Sequence, residues 1–462
     1  MMDQALDAKI TAFLDDHRSE LIADIRELVA IHSEDDSAHA APGAPFGPGV
    51  ARCLDAALAQ CRKAGLAVRN FDGFAGDATW GEGEGAVAVL THLDTVPIGD
   101  GWTRDPLGGA LEDGRIYGRG ANDDKGPGVS ALWAVKALIA AGYQPKRPLR
   151  LIYGCCEETS GRDLEHYLAS TAAPAYAFTP DAEFPVIHAE KSFVACRARY
   201  DFAAPTRLVQ LRAGTRVNVV PNQAEALLDA HDLILPEADR ISLEAQDGLI
   251  RVTASGKASH ASMPQDGLNA IGILMAYLAQ VLPEGDGARL PVSVIASRIG
   301  TGYDGAGCHI ACRDGVSGPL TFNLGLLEGD AGYLTIQIDI RHPVTLDEQD
   351  TARRLGDFFS GHGFTLENLS ARPGLYYPME HPLVATLQGV YNEVTGEQGA
   401  PIAIGGGTYA KGMPCPTVAF GPCFPWDQET AHIADEYMSV DSLVMAARIY
   451  AHALMLLSGL EG

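Results

Sequence analysis

Basic residues and long apolar runs are both scarce in this sequence. Its 462 residues contain 34 lysines and arginines against 59 aspartates and glutamates, which gives a net charge of −25. So acidic a surface argues against nucleic acid or an anionic membrane as a binding partner. No run of about 18 apolar residues is present, so no transmembrane helix is expected. The first residues also lack the basic and apolar regions of a signal peptide.

The cysteines show no pattern of pairing. There are nine of them, an odd number, and they are scattered along the chain. The adjacent residues Cys155 and Cys156 cannot form an ordinary disulfide with each other. We therefore expect reduced thiols and a cytoplasmic protein.

The length of the chain predicts two domains rather than one simple core. Both ends of the sequence alternate apolar strands with amphipathic helices, which is typical of an α/β fold, whereas the middle is rich in alternating strands. We predict an α/β domain with a mixed sheet and helices on both faces, formed by residues 1–188 and 383–462. An α+β domain is expected to interrupt it at residues 189–382.

Polar residues that can bind a metal follow three apolar strands of the predicted sheet. They are His92 and Asp94 after the first strand, Glu157 and Glu158 after the second, and Asp181 after the third. In open α/β sheets, ligands bind at the carboxyl ends of the strands. Any one of these residues is explained equally well by a solvated strand end, but three strand ends together favour a binding site.

Two loops add further candidate ligands. Asp123 lies in the glycine-rich segment GRGANDDKG, and His432 lies in ETAHIADE. Each alone is more simply a surface loop residue. With His92, Glu158 and Asp181 they provide two imidazoles and three carboxylates, a donor set that suits zinc, with manganese or cobalt possible. Five ligands exceed what one catalytic metal needs, so we expect two divalent ions that share a carboxylate.

These motifs, taken in order, resemble a dinuclear metallopeptidase family. The matching segments are THLDTVP, YGRGANDDKG, the Glu157–Glu158 pair, TPDAE and AHIADE, and they span nearly the whole chain. The family includes aminoacylase, glutamate carboxypeptidase, carnosinase and the bacterial Xaa-His dipeptidases. The segments NVVPNQAEA and GKASHAS are most similar to those of bacterial dipeptidases with broad Xaa-Xaa specificity.

The resemblance implies a role for each residue of the site. His92 and Asp181 would hold one metal ion, Glu158 and His432 would hold the other, and Asp123 would bridge the two. The resemblance implies that Glu157 is the general base that activates a bridging water. It also implies that Asp94 orients the site and that His260 stabilises the tetrahedral intermediate. The peptide bond between Asp123 and Asp124 is expected to be cis, as is frequent in this family.

Substrate recognition is expected from the inserted domain and from a glycine-rich turn. Arg341 ends an apolar strand, and the sequence shows no partner for its guanidinium, which suits a free α-carboxylate. By itself Arg341 is as well explained as a surface residue; the resemblance favours carboxylate binding. Asn218 is predicted to contact the substrate carbonyl or carboxylate, and Gly406 allows close approach of the backbone.

The implied function is a metal-dependent dipeptidase that acts on dipeptides with free termini, with the inserted α+β domain as a lid. The alternative within the same chemistry is an N-acyl-amino-acid deacylase or carboxypeptidase. Asp181 favours a free-amine substrate, because family members that act on N-acylated substrates tend to carry Glu there. A non-catalytic metal-binding protein is less favoured, because every position of the site is filled. The expected partner is a small peptide, and the chain is expected to be a monomer or a homodimer.

Overall fold

The computed structural model describes residues Asp3–Leu460, which divide into two compact units. The outer unit consists of the chain up to His188, Tyr377–Ile402 and the chain from Gly407 onward. The inserted unit consists of Ala189–Tyr376 and Ala403–Gly406. The chain thus returns to the outer unit at Tyr377 rather than at residue 383, and a four-residue piece near Gly405 groups with the inserted unit.

The first part of the outer unit alternates helices and strands. Its helices are α1 (Gln4–Asp16), α2 (Arg18–Val29), α3 (Pro48–Lys63), α4 (Lys125–Ala140) and α5 (Arg162–Ser170). Its strands are β1 (Ala67–Phe71), β2 (Ala75–Trp80), β3 (Val87–His92), β4 (Ala110–Glu112), β5 (Arg115–Tyr117), β6 (Leu149–Gly154), β7 (Tyr176–Thr179), β8 (Ala182–Glu183) and β9 (Val186–Glu190).

The inserted unit and the returning chain follow. The inserted unit carries β10 (Ser192–Asp201), β11 (Leu208–Ala213), β12 (Gln223–Leu228), β13 (Ile241–Gln246), β14 (Leu249–Ser255), α6 (Ala270–Val281), α7 (Arg289–Val294), β15 (Thr321–Asp330), β16 (Tyr333–His342), α8 (Glu348–Gly361), β17 (Thr365–Arg372) and β18 (Leu375–Tyr376). The returning chain forms α9 (Pro382–Thr395), β19 (Ile402–Ile404), β20 (Thr417–Phe420), β21 (Pro422–Cys423), β22 (Tyr437–Ser439) and α10 (Val440–Ser458).

The main sheet of the outer unit is mixed, as predicted. Its strands run in the order β1-β2-β6-β3-β7-β20-β9. The four central strands β6, β3, β7 and β20 are parallel, and antiparallel pairs flank them. All six residues of β3 are buried, which explains its continuous apolar sequence.

Helices cover both faces of this sheet, which also agrees with the prediction. Helices α1 to α4, α9 and α10 form the larger core on one face. On the other face, α5 and a 3₁₀ turn (Tyr409–Gly412) contribute Leu164, Tyr167 and Tyr409, which pack on Leu90 and Ile152. Helix α10 has the length and composition of a membrane span, but 67% of its most apolar window is buried, as in a core helix.

The inserted unit is an antiparallel sheet with helices on one side. Its eight strands run in the order β13-β14-β12-β11-β15-β16-β10-β17, and every neighbouring pair is antiparallel. Helices α6, α7 and α8 supply apolar side chains to a core that contains alternate residues of the strands. The predicted α+β character is confirmed.

Strand β2 and helix α5 are among the elements of the outer unit that were not predicted from the sequence. Strand β2 lies in a segment that its glycines mark as a turn, but a Cβ on Gly76 would come within 2.9–3.1 Å of Leu54 and Leu58, so glycine lets α3 pack directly on this strand. Helix α5 is a nine-residue helix that begins after Gly161, which has a positive φ of 67°. Strand β2 has six residues and helix α5 has nine, and both are too short for their hydrophobic periodicity to predict them.

A half-buried ion pair joins the first and last helices of the outer unit. Asp7 on α1 accepts hydrogen bonds from Nε and Nη2 of Arg448 at 2.8 and 2.6 Å, and lies 2.9 Å from Nε2 of His452. Burial by itself raises the pKa of the Asp7 carboxyl, but the bonds and charges of Arg448 and His452 outweigh burial and lower this pKa. Such a carboxylate stabilises the fold above its unfolded pKa and loses this contribution as the pH falls.

We expect Asp7→Asn to destabilise the protein by roughly 1–3 kcal/mol at neutral pH, as is usual for charge-assisted hydrogen bonds. Thermal unfolding midpoints measured from pH 7 to pH 3 check this: the gap to wild type should narrow below about pH 4, the ordinary pKa of an unfolded aspartate. Asp441→Asn is the matched control, because Asp441 pairs with Arg18 but its side chain is 83% exposed. An equal gap at pH 3 and pH 7 would contradict the prediction.

Candidate active site

The carboxyl ends of the parallel strands bring the predicted metal ligands together in the outer unit. His92 is the last residue of β3, Glu158 follows β6, Asp181 follows β7, and His432 lies in the loop after β21. Asp123 precedes α4, and its peptide bond to Asp124 is cis. Because β3, β6, β7 and β20 are neighbours with the same direction, their carboxyl ends meet at one edge of the sheet.

His92, Asp123 and Asp181 form a first group of possible metal ligands. One donor atom from each lies within 4.8 Å of the others. Nε2 of His92 is 2.8 Å from Oδ1 of Asp123 and 4.0 Å from Oδ1 of Asp181. Nδ1 of His92 donates to the carbonyl oxygen of Asp94 at 2.9 Å, which directs Nε2 toward the carboxylates.

Asp123, Glu158 and His432 form a second group with the same spacing. Nε2 of His432 is 2.8 Å from Oδ2 of Asp123 and 3.1 Å from Oε1 of Glu158. Asp123 therefore presents one oxygen to each group. A carboxylate shared in this way suits a pair of adjacent metal ions.

Negative charge is in excess at this edge of the sheet. Burial raises the pKa of Asp181 well above its ordinary value, and the charges of Asp123 and Glu157 raise it further. Burial lowers the pKa of His432, but its bonds to Asp123 and Glu158 outweigh burial and raise the pKa to about 10. Carboxylates that converge in a buried place favour a compensating cation. The donor atoms and their charge therefore fit two divalent metal ions.

Glu157 belongs to neither group, although it directly precedes Glu158 in the chain. Burial raises the pKa of its carboxyl to about 8, and the charges of Glu158, Asp123 and Asp94 add to this effect. Asp94, which is fully buried, accepts from the backbone N–H groups of both Glu157 and Glu158 at 3.1 Å. Asp94 thus fixes the backbone of the turn that carries the two glutamates.

A second buried carboxylate, Glu436, shapes this site and was not predicted from the sequence. Oε1 of Glu436 accepts from the backbone N–H groups of Gly120, Asn122 and Asp123 at 2.9, 2.9 and 3.2 Å. Its other oxygen pairs with Arg119. Glu436 ends the motif AHIADE, so the residue was within a recognised segment, but its backbone partners leave no mark in the sequence.

Asn218 and His260 lie side by side in the inserted unit. The backbone N–H of Ala261 donates to the carbonyl oxygen of Asn218 at 2.9 Å. Nδ1 of His260 accepts from the backbone N–H of Ser262 at 3.2 Å and lies 2.7 Å from the Ser262 hydroxyl. With Nδ1 as the acceptor, the imidazole proton is on Nε2.

Arg341, also in the inserted unit, has partners that the sequence analysis did not find. Its Nε and Nη2 donate to the two carboxylate oxygens of Asp339 at 2.6 and 3.0 Å, and its Nη1 donates to the carbonyl oxygen of Gly405, next to Gly406, at 2.8 Å. The guanidinium carbon lies 4.1 Å from the ring centre of Phe193. The expectation that Arg341 has no partner is wrong: Asp339 lies two residues earlier and on the same face of β16.

Residues 88–456 match the sequence model of peptidase family M20/M25/M40, and this span includes all five candidate metal ligands. The chain belongs to this family. The dinuclear metallopeptidase family predicted from the motifs is thereby confirmed, and the chain is a hydrolase of the peptidase class.

Relatives of this M20 peptidase carry dipeptidase names. The putative dipeptidase YtjP of Bacillus subtilis is 37% identical over 458 residues, covering 95% of this chain and 97% of YtjP. The Beta-Ala-Xaa dipeptidase of Lactobacillus delbrueckii subsp. lactis is 31% identical over 452 residues, covering 95% and 96% of the two chains.

Solved structures of dipeptidases share the fold of this M20 peptidase. The dipeptidase Dug1p of Saccharomyces cerevisiae has a TM-score of 0.62 at 12% identity, over 99% of each chain. Human carnosine dipeptidase 1 has a TM-score of 0.58 at 16% identity, over 98% of this chain and all of that one.

We expect this peptidase to bind two equivalents of divalent transition metal, because two groups of ligands share Asp123. Elemental analysis after metal-replete purification and removal of free metal measures the ratio. His432→Ala should retain about one equivalent, whereas the control His39→Ala, which changes a histidine with a largely exposed side chain, should retain two. A wild-type ratio near zero would contradict the two-metal site.

Proposed function

We propose that the protein is a metal-dependent dipeptidase that hydrolyses Xaa-Xaa dipeptides with free amino and carboxyl termini. The observation that carries this proposal is the geometry of the outer unit: two ligand groups share Asp123, and the half-buried Glu157, next to Glu158 in the chain, joins neither group. The dipeptidase names of relatives that align over 95% of the chain support the same substrate class.

We assign the ligands as the motifs predict. His92 and Asp181 would hold one ion, Glu158 and His432 the other, and Asp123 both. Imidazole nitrogen together with carboxylate oxygen suits Zn²⁺, and Mn²⁺ and Co²⁺ accept the same donors. When bound, two divalent ions lower the pKa of a water and polarise the scissile carbonyl.

Glu157 acts as the general base and then as the general acid. A carboxyl with a pKa raised to about 8 by burial is matched to proton transfer near neutral pH. Glu157 removes a proton from the attacking water and delivers it to the nitrogen of the leaving amino acid. Asp94 orients the site, because it holds the N–H groups of Glu157 and Glu158.

His260 is assigned the role of stabilising the oxyanion. Its Nδ1 accepts from Ser262, so its Nε2 carries the proton and is a hydrogen-bond donor even when the imidazole is neutral. A donor aimed at a developing negative charge lowers the barrier to attack on the carbonyl. Asn218, hydrogen-bonded next to His260, is assigned to the substrate carbonyl or carboxylate, and Gly406 to close backbone contact.

The chain carries no evident requirement for an oxidising compartment. All nine cysteines, each within the described residues, are free thiols. We therefore propose a cytoplasmic enzyme that binds small peptides rather than nucleic acid or membranes, in keeping with its net charge of −25. The prediction that it is a monomer or a homodimer is tested by measuring its mass in solution by scattering or sedimentation.

We expect Glu157→Gln to reduce kcat for a dipeptide by at least roughly 10²–10⁴-fold, the usual contribution of a general base. Metal content should stay near that of wild type, because Glu157 is in neither ligand group. The measurement is initial rates together with elemental analysis. Glu158→Gln is the matched neighbour and should lose metal. If Glu157→Gln loses metal as well, the two glutamates have been assigned the wrong way round.

Arg341 is proposed to bind the free carboxylate of the substrate. Its described hydrogen bonds use three of its five N–H groups, which leaves one on each of Nη1 and Nη2 for a further acceptor. Asp339 and Gly405 hold the guanidinium in place, and a planar guanidinium whose position is fixed can bind a carboxylate through two parallel hydrogen bonds.

We expect Arg341→Ala to lower kcat/KM for free dipeptides roughly ten- to a thousandfold, because a charge-assisted bidentate contact is lost. The same variant should change hydrolysis of C-terminally amidated dipeptides much less, and wild type should itself prefer the free acids. Arg212→Ala, which removes an exposed arginine paired with Glu225 in the same unit, is the control. If wild type cleaves amides as fast as acids, Arg341 has another role and an aminopeptidase is favoured. N-acetyl-amino acids in the same panel test the deacylase alternative.

A further inference from the structure

The backbone N–H groups of the four consecutive residues 155–158, which end in the glutamate pair, donate to two carboxylates. Asp94 accepts from Glu157 and Glu158, as described above. Asp163 accepts from Cys155 at 2.5 Å and from Cys156 at 2.8 Å, both through Oδ2. Asp94 and Asp163 therefore hold the whole turn from the end of β6 to Glu158 through its backbone N–H groups.

Asp163 is a buried carboxylate whose partners are backbone and hydroxyl groups. It lies in the first turn of α5 and is fully buried. Its Oδ1 accepts from the N–H of Leu164 at 2.7 Å, and its Oδ2 also accepts from the hydroxyl of Tyr409. Since a buried carboxylate is costly without donors, these contacts fix both the carboxylate and the backbone that donates to it.

Tyr409 connects this carboxylate to the first metal-ligand group. It is 5% exposed, and its ring lies edge-on to the imidazole of His92, with 6.2 Å between centroids and 83° between planes. A Cβ on Gly154, the last residue of β6, would overlap the Tyr409 hydroxyl. Glycine at this position therefore allows Tyr409 to reach Asp163 beside the backbone of the strand.

We propose that Asp163 and Tyr409 are positioning residues for the reaction. Asp163 fixes the backbone of Cys155 and Cys156 and thereby sets the direction in which Glu157 and Glu158 leave the strand. Tyr409 fixes Asp163 and packs against His92. The catalytic part of this inference rests on the proposed function, in which Glu157 is the base and Glu158 a metal ligand.

The structure offers a matched control for Tyr409. Tyr167 is fully buried, donates its hydroxyl to buried Asp77 at 3.0 Å and belongs to the same cluster of buried side chains. Asp77 lies on β2, opposite Ile152 of β6, and also pairs with Arg69, and none of the hydrogen bonds described for Asp77 or Tyr167 involves the backbone of residues 155–158. Tyr167→Phe and Tyr409→Phe thus remove the same hydroxyl from the same kind of pair, but only one pair holds the turn.

The test compares steady-state kinetics and thermal unfolding of Tyr409→Phe and Tyr167→Phe in excess metal. We expect Tyr409→Phe to lower kcat roughly ten- to a hundredfold with KM unchanged, since displacement of a reacting group by about 1 Å costs on the order of 10²-fold. Tyr167→Phe should lower the unfolding midpoint similarly and leave kcat unchanged. If both variants leave kcat unchanged, or lower it equally, the proposal is overturned.

A second measurement keeps the inference separate from the proposed activity. Asp163→Asn should hold the Glu158 metal more weakly, so dialysis against a weak chelator should leave it with about one metal equivalent fewer than Tyr167→Phe. If wild type cleaves no dipeptide, the proposed function fails and metal retention decides alone. Equal retention by the two variants would then overturn the positioning role. Circular dichroism verifies that both variants are folded.

Discussion

Buried carboxylates that accept from backbone N–H groups determine the shape of this site. Asp94, Asp163 and Glu436 each bind two or three main-chain N–H groups, and together they hold the turns that carry Asp123, Glu157 and Glu158. Hydrogen bonds from backbone N–H groups to a carboxylate are stronger than those between neutral groups, and they fix the direction of both partners. The ligand carboxylates are different, because their oxygens face histidine nitrogens and one another. The site therefore separates carboxylates that hold the backbone from carboxylates that are candidate metal ligands.

The accumulated negative charge has a cost that the protein offsets locally. Arg119 pairs with Glu436, and Lys125 donates to the carbonyl oxygens of Leu28 and Ile31 at the end of α2. Burial lowers the pKa of Lys125, and nearby acidic groups counteract part of this effect. Both cations bind to the framework rather than to the converging ligands. The charge of Asp123, Asp181 and Glu158 is thus left to the histidines and to the two metal ions that we propose bind here.

Much of the fold could be predicted from the sequence, and so could the polar residues that converge at one edge of the outer sheet. Continuous apolar runs predicted β3 and β6, and the polar residues that follow the strands predicted which side chains would meet there. Strand β2 was missed because Gly76 signals a turn, although its role is close packing with α3. Asp163, Tyr409 and Glu436 were missed because their partners are main-chain groups, which every residue has. Asp339 could have been found as the partner of Arg341, since residues two apart on a strand share a face.

The order of strands in the outer sheet also constrains how the chain matures during synthesis. Strand β20 lies between β7 and β9, yet its residues are made more than two hundred residues after either neighbour. The ribosome thus releases the complete inserted segment while the outer sheet still lacks the strand between β7 and β9, and while His432 has not yet been made. Since domains tend to fold as they emerge, the inserted unit can complete most of its own core first. If the five proposed ligands hold the metal ions together, an incomplete chain that lacks His432 cannot carry the complete centre.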